Sequence, residues 1–216
     1  MGEQQIFTAT SFFSLAGVAG VAVAAVAASR ALLPKSATWQ DKLTFVWLAF
    51  DGIIHLIFEG SFLYLSTFGR SVNTSTGVFA EMWKEYTLAD TRWGVSDPTV
   101  VSLEILTVLG GVPLCWYILG LLVKSDPARH YWIVVLSVAE LYGGWMTFCP
   151  EWLSGSPSLN TSNILFLWVY LVVCVLASFA PWFMNSIWVV IPLWLMVDSY
   201  NHIARSLREV AKIKRN

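Results

Sequence analysis

The sequence predicts an all-α integral membrane protein, a bundle of five transmembrane helices. The chain has 216 residues, of which 56% are hydrophobic and 12% charged, and its mean hydropathy is +0.63. Soluble globular domains do not have this composition, and several apolar stretches are long enough to cross a bilayer. The net charge of −1 indicates no class of partner. No nucleic-acid-binding motif or basic run occurs, so nucleic acid is not an expected partner.

The first two predicted spans differ in character. Residues 9–29 are uncharged and rich in alanine, valine and glycine, whose small side chains permit close helix packing. No basic region precedes this stretch, so we expect a retained scaffold helix and not a cleaved signal peptide. Residues 43–65 form the second span, which contains three ionisable side chains, those of Asp51, His55 and Glu59.

The other three spans are expected at 101–123, at 131–149 and within 164–200. As a helix the last stretch would be about 55 Å long, whereas the hydrocarbon core is about 30 Å thick. Pro181 and Pro192 interrupt it. We therefore expect one crossing there, with a kink or an interfacial portion.

The distribution of basic residues predicts the orientation. Segments 30–42, 124–130 and 205–216 together contain ten of the thirteen Lys and Arg residues, and 150–163 contains none. The positive-inside rule then places the N-terminus outside and the C-terminus inside, which requires an odd number of crossings. We expect a single transmembrane domain over 1–216, with residues 205–216 as a basic cytosolic tail.

The tail also contains two lysines, Lys212 and Lys214, at the spacing of a dilysine retrieval signal. Such a signal is an address read by a receptor, and it would place the protein in the endoplasmic reticulum membrane. An ordinary basic tail that obeys the positive-inside rule explains the same residues equally well.

Asp51, His55 and Glu59 recur every four residues, so on a helix their side chains lie within about 80° of arc. A charge at bilayer depth costs about 2.5–3.5 kcal/mol, so these side chains should face the bundle interior and have partners there. Intramembrane clusters of this kind are functional sites by default.

Three further spans each present polar side chains. Glu104 and Thr107 share a face of the third span, Glu140 lies in the fourth, and Asn185 and Trp188 share a face of the fifth. Such an array suits an isomerase that protonates a carbon–carbon double bond. A dry site keeps a carboxyl group in its acid form, and carboxylates and aromatic faces stabilise the resulting carbocation while water is excluded.

A structural interpretation competes with this one, because polar side chains also hold membrane helices together, at about 0.6 kcal/mol on average. The structural interpretation is favoured for Glu140, which lies beside the tight-packing sequence at 142–144. For Asp51 the structural and the catalytic interpretations are equally good, and Asp51 would then tune the protonation of His55. The structural interpretation is weaker for the histidine and the remaining acids, which have no obvious Lys or Arg partner in any span. Three cysteines without CxxC spacing indicate neither a metal site nor a redox motif.

Five short motifs in chain order resemble the emopamil-binding protein family, the sterol Δ8–Δ7 isomerases. They begin at His55, Trp83, Glu104, Leu141 and Met184 and read HLIFEG, WKEY followed by DTR, EILT, LYG and MNSIW. The resemblance covers residues 40–204 and leaves only the first span without a counterpart.

The resemblance implies a five-helix bundle of the endoplasmic reticulum membrane, often a homodimer, with the architecture of the sigma-2 receptor. It implies isomerisation without a metal or other cofactor: an acid protonates the Δ8 double bond of a sterol at C9, and the cation at C8 loses a proton from C7. Family members also bind amphiphilic amines, whose ammonium group mimics the cation.

By the same resemblance, His55 and Glu59 would be the proton donor and relay, and Glu104, hydrogen-bonded by Thr107, would face the cation. Asn185 would orient the site. The substrate-binding candidates are Trp188, which would lend a cation–π face, Tyr142, Asp51 and Glu140.

Asp51 and Glu140 stand where this family usually has neutral residues. They favour, as an alternative, a divergent paralogue that isomerises or cyclises another polycyclic terpenoid. A third hypothesis is a non-catalytic sterol-binding protein like the sigma-2 receptor, and the retention of His55, Glu59 and Asn185 argues against it.

Overall fold

A computed structural model describes residues 9–160 and 184–215, which are helical and contain no β-strand. Two π-helical turns, His55–Glu59 and Thr107–Gly111, each connect two consecutive α-helices. Short 3-10 turns lie at Val72–Thr74 and Thr91–Trp93. The α-helices are α1 (Ala9–Leu32), α2 (Trp39–Ile54), α3 (Gly60–Leu65), α4 (Val78–Thr87), α5 (Pro98–Leu106), α6 (Val112–Val123), α7 (Arg129–Leu153) and α8 (Met184–Ile213).

Five helical segments of the described chain are long and apolar enough to cross a membrane, which confirms the predicted fold class. They are Phe12–Leu32, Trp39–Leu65, Pro98–Val123, Arg129–Leu153 and Ile187–Ile213. The first four lie within four residues of their predicted limits, whereas the fifth continues to Ile213, 13 residues beyond the predicted region 164–200. Much of the predicted region 164–200, including Pro181, lies outside the described residues.

Helix caps explain why two spans begin earlier than their apolar stretches. Thr38 and Asp41 form a capping box in which each backbone N–H donates to the other residue's side chain at 3.1 Å, so α2 begins at Trp39. The Asp97 carboxylate accepts hydrogen bonds from two backbone N–H groups in the first turn of α5, which begins at Pro98.

The segments rich in basic residues meet at one end of the bundle. Arg129, at the start of α7, donates to the Asp41 carboxylate at 3.0 Å. The rings of Trp39 and Trp194 stack with their centroids 6.0 Å apart, which brings the C-terminal half of α8 to the same end. The predicted orientation concerns which side of the membrane this end faces, and it stays a prediction.

The segments 66–97 and 154–160 meet at the other end. The Thr91 N–H donates to the Ser158 carbonyl at 3.0 Å, and the Asn160 N–H donates to the Ala89 carbonyl at 2.8 Å. These bonds hold the two segments together, as expected for a chain that crosses the membrane at each predicted span.

An aromatic cluster fastens segment 66–97 to the second span. The rings of Trp83 and Trp93 stack with centroids 5.1 Å apart, and Phe62 packs against Trp93 at 4.7 Å. The Trp83 indole N–H donates to the Ser61 hydroxyl at 3.0 Å, which ties α4 to α3. The WKEY motif therefore begins with a residue that stabilises the fold.

A buried ion pair joins the same segment to α7. The Arg92 guanidinium donates to the Asp90 carboxylate through Nη2 at 2.6 Å and through Nε at 3.0 Å, and both residues are buried. Arg92 Nη1 also donates to the Thr147 carbonyl at 2.9 Å, and Arg92 Nε lies 3.7 Å from Glu151 Oε1. The DTR motif is thus also part of the scaffold.

We predict that Arg92→Ala lowers the free energy of unfolding by about 3–5 kcal/mol, because it leaves the buried Asp90 carboxylate without its cation. Lys84→Ala is the matched control: it breaks the exposed pair with Glu81, worth about 0.2–1 kcal/mol. Chemical denaturation of the purified protein in detergent measures both. Equal losses in the two variants would contradict a structural role for the Asp90–Arg92 pair.

Candidate active site

The two π-helical turns contact each other, one in the second span and one in the third. The first begins at His55 and ends at Glu59, and the second begins at Thr107, three residues after Glu104. Single π-helical turns within α-helices occur frequently at functional sites. The candidate residues of two spans therefore meet where both helices depart from regular α-helical geometry.

The His55 imidazole lies between two carboxyl groups of its own span. Its Nε2 is 3.0 Å from Asp51 Oδ1, and its Nδ1 is 3.5 Å from Glu59 Oε1. The structure thus brings together the three ionisable residues of the second span, as their four-residue spacing predicts. Each ring nitrogen thus faces a different carboxyl group, and Nδ1 has no hydrogen-bond partner among the described residues.

Asp51 has partners from three other helices as well. Its Oδ1 accepts a hydrogen bond from the Trp188 indole N–H of α8 at 2.7 Å, and its Oδ2 lies 3.5 Å from the Cys115 sulfur of α6. The Glu140 side chain of α7 interacts with it directly. Asp51 is 0% exposed, so every contact of its side chain is with protein.

The cluster has a closed side and a more open side. The side chain of Asp51 is fully enclosed, whereas those of His55 and Glu59 are 14% and 18% exposed. His55 and Glu59 therefore lie toward the more open side of the cluster. An apolar groove of about 470 Å³ between α1, α2 and α6 is lined by none of the candidate residues.

Glu59 ends the first π-helical turn and Glu104 precedes the second, and the two side chains are close enough to interact electrostatically. Each has one carboxyl oxygen, Oε2, that is buried without a hydrogen-bond partner among the described residues. The Thr107 hydroxyl interacts with Glu104 and also donates to the Leu103 carbonyl at 3.1 Å. Two buried acceptors are thus left available for a bound molecule.

The Trp188 ring forms a wall beside the histidine. Its centroid lies 5.3 Å from that of Trp47, 6.4 Å from that of Phe50 and 6.3 Å from that of His55. The cation–π role predicted for Trp188 stays a prediction. Its indole N–H is engaged with Asp51, so the residue also fixes the position of α8 against α2.

One other candidate, Tyr142, does not join this cluster among the described residues. Tyr142 is 61% exposed, and no hydrogen bond or ring contact to the cluster is found within the described ranges. Asn185 lies in the first turn of α8, and its side chain is outside the described part of the chain.

Cys115 is a site residue that the sequence analysis missed. An added Cβ at Gly52 would lie 3.1 Å from Cys115 Cβ, so the glycine lets α6 approach α2 closely beside Asp51. A glycine next to an intramembrane acid is the signal that could have indicated this contact. Within residues 9–160 and 184–215, no group of three or more His, Cys, Asp or Glu side chains could hold a metal ion.

Comparison with known families shows to which family the chain belongs. The family model described as EXPERA, the EXPanded EBP superfamily, matches residues 78–199, more than half of the chain. The chain belongs to this superfamily. The finding confirms the resemblance that the five motifs indicate, and the matched region includes Glu104, Glu140 and Trp188.

Three curated relatives match a longer part of the chain than the family model does, and these matches extend toward the N-terminus. The chain is 30% identical over 177 residues to the 3-beta-hydroxysteroid-Delta(8),Delta(7)-isomerase of Rattus norvegicus, covering 80% of this chain and 71% of the rat protein. It is 26% identical over 193 residues to the enzyme of the same name from Cavia porcellus, covering 89% and 78%. It is also 26% identical over 171 residues to the isomeliandiol synthase MOI2 of Melia azedarach, covering 79% and 74%. A match over 89% of the chain must include the span that contains His55.

We predict that Trp188→Phe destabilises the protein by about 1.5–3 kcal/mol, because the buried Asp51 carboxylate loses a hydrogen bond while the aromatic packing is kept. Trp47→Phe is the matched control: Trp47 is buried against Trp188, and its Nε1 has no partner among the described residues. Denaturation in detergent without any sterol measures both variants. A loss for Trp47→Phe as large as that for Trp188→Phe would contradict the importance of the bond to Asp51.

Proposed function

We propose that this protein is a sterol Δ8–Δ7 isomerase that works by adding one proton and removing another. The observation that carries the proposal is a histidine placed between two carboxyl groups, beside a third carboxyl group with an unpartnered oxygen. The names of the rat and guinea-pig relatives support the substrate class. Membership of the EXPERA family supports the setting in a membrane bundle.

The first step is the protonation of the ring double bond. Glu59 faces the more open side of the cluster, and its Oε2 has no partner in the described part of the chain. The acid form of Glu59 donates its proton to C9 of the Δ8 sterol, and the π electrons of the double bond form the new C–H bond. The cation then resides at C8, and the imidazolium form of His55 restores the proton of Glu59 through Nδ1, which leaves the ring neutral.

The second step removes a proton from C7. Glu104 faces the cation, stabilises it by its charge and accepts the C7 proton, and the electrons of the C7–H bond form the C7=C8 double bond. Glu104 is close enough to Glu59 to interact with it electrostatically, and in the proposed cycle the proton passes from Glu104 by way of Glu59 to neutral His55, so that the cluster is unchanged after a turnover. The aromatic wall of Trp188 and the apolar helices exclude water, which would otherwise trap the cation.

A specific observation favours a second candidate function. One relative is an isomeliandiol synthase, which is 26% identical to the chain over 171 residues, the same percentage that the guinea-pig isomerase has over 193 residues. A paralogue that isomerises or cyclises another polycyclic terpenoid would use the same proton chemistry. This alternative changes the proposed substrate and keeps the same acid–base residues.

The resemblance to the emopamil-binding protein family supports three further expectations. We propose that the protein resides in the endoplasmic reticulum membrane, forms a homodimer and binds amphiphilic amines whose ammonium group occupies the place of the cation. Fluorescence microscopy against an endoplasmic reticulum marker, cross-linking in membranes and displacement of a labelled amine test these expectations separately.

We predict that membranes containing the protein convert zymosterol, a Δ8 sterol, to a Δ7 product that gains one deuteron in deuterated water. Glu59→Gln and His55→Ala should lower turnover by about 10²–10⁴-fold, since each removes an acid–base group from the reaction. Mass spectrometry of the extracted sterols measures both results.

Glu81→Gln, which removes an exposed acid outside the site, is the control and should leave turnover unchanged. A variant at position 55 or 59 that fails to fold would show that the residue holds the helices together. If the wild-type protein binds an amine inhibitor but converts no Δ8 sterol, the terpenoid alternative is favoured.

A further inference from the structure

A second pair of carboxyl groups lies on the closed side of His55. The Glu140 side chain of α7 and the Asp51 side chain of α2 are within hydrogen-bonding reach of each other. Asp51 is fully enclosed, and His55 Nε2 is 3.0 Å from its Oδ1. This pair therefore contacts the histidine on the side opposite to Glu59.

The neighbours of the two carboxyl groups differ in kind. Asp51 is surrounded by donors: the Trp188 indole N–H at 2.7 Å, the Cys115 thiol at 3.5 Å and the His55 ring. Both oxygens of Glu140 are buried without any donor among the described residues. A carboxylate is stabilised by donors, whereas a protonated carboxyl group needs an acceptor.

These surroundings decide where a proton between the two groups resides. Two carboxylates only accept hydrogen bonds, so the contact between Asp51 and Glu140 becomes a hydrogen bond only when one of them is protonated. The donors around Asp51 identify it as the carboxylate. The proton therefore belongs to Glu140, which donates it in a hydrogen bond to Asp51.

We propose that Glu140 and Asp51 are positioning residues for His55. Protonated Glu140 donates to the Asp51 carboxylate, and Asp51 accepts from His55 Nε2, which holds the ring in the tautomer whose Nδ1 is free to exchange a proton with Glu59. The proposal rests on the proposed function, because it assigns His55 a proton relay. It departs from a substrate-binding role for these acids, since Asp51 is enclosed by protein on all sides and both carboxyl oxygens of Glu140 are buried.

The arrangement balances over a turnover. When His55 Nδ1 accepts a proton, the ring becomes an imidazolium that the Asp51 carboxylate stabilises from the other side. When Nδ1 returns the proton to Glu59, the ring is again neutral with its hydrogen on Nε2. The proton of Glu140 stays in place throughout, so no net charge is added to the closed side.

Kinetics of three variants test the positioning role. Asp51→Asn should lower kcat by on the order of 10²–10⁴-fold with KM for the sterol little changed, because an amide no longer selects the tautomer. Glu140→Leu should lower kcat by about 10–100-fold, as expected for the loss of a supporting hydrogen bond. Glu140→Gln should lower it by less than about threefold, because its amide N–H still donates to Asp51.

Glu81→Gln serves again as the matched control and should leave both kcat and KM unchanged. A rise in KM as the main effect of Asp51→Asn would overturn the proposal, because it would mean that Asp51 contacts the substrate. Equal losses for Glu140→Gln and Glu140→Leu would overturn it too, because a proton and not a hydrogen bond would then be required.

An infrared measurement tests the same assignment without any turnover. The difference spectrum of purified wild-type protein minus Glu140→Gln should contain the C=O stretch of a protonated carboxyl group, and this band should shift in deuterated water. Wild type minus Glu81→Gln should lack the band. Absence of the band from the Glu140→Gln difference would overturn the proposal.

The two measurements keep this inference distinct from the proposed function. If the wild-type protein converts no sterol but the infrared band is present, the substrate assignment fails and the Glu140–Asp51 hydrogen bond stands. If the protein isomerises the sterol but the band is absent, the positioning inference fails and the isomerase stands.

Discussion

The structure depends on the satisfaction of one buried carboxylate, that of Asp51. An ionised carboxylate removed from water costs several kcal/mol unless donors surround it. Its partners come from the next turn of α2 and from α6, α7 and α8, through His55, Cys115, Glu140 and Trp188. The rotation of each of these helices about its own axis is therefore constrained by a polar contact as well as by apolar packing. In a bilayer, where apolar packing alone discriminates poorly between helix faces, such a contact specifies one arrangement.

The same carboxylate gives the histidine two different sides. On the closed side, Asp51 accepts a hydrogen bond from Trp188, and the carboxyl oxygens of Glu140 are buried. On the other side, Glu59 and Glu104 keep unpartnered oxygens, and the helices that bear them are distorted by π-helical turns. The two nitrogens of the His55 ring thus differ: Nε2 contacts the enclosed Asp51 carboxylate, and Nδ1 faces Glu59, where the proton transfer is proposed.

The sequence predicts the fold and the part of the site that lies on the second span. It does not predict the contacts between distant helices, for a physical reason. Apolar length determines a membrane span, and four-residue spacing determines that Asp51, His55 and Glu59 share a face, because both are local properties of a helix. The pairing of Asp51 with Cys115 and Trp188 depends on how helices distant in sequence are rotated and shifted against each other. The π-helical turns likewise have no local signature in the residues that form them. A family motif does not by itself distinguish a site residue from a structural one. Trp83 and Arg92 belong to motifs of the resemblance, and the structure shows that they stabilise the segment 66–97.

In the proposed mechanism, the unpartnered oxygens on the open side favour a cationic transition state. A buried acceptor without a donor costs about 1–3 kcal/mol, and once Glu59 has given up its proton, its carboxylate and that of Glu104 also repel each other. A neutral sterol would relieve little of this cost, whereas the carbocation formed beside the two groups would relieve much of it. The interaction is therefore stronger in the transition state than in the ground state, which is the condition for catalysis. A chain that satisfied every polar atom around Glu59 and Glu104 would be more stable, and it would lose this preference for the cation.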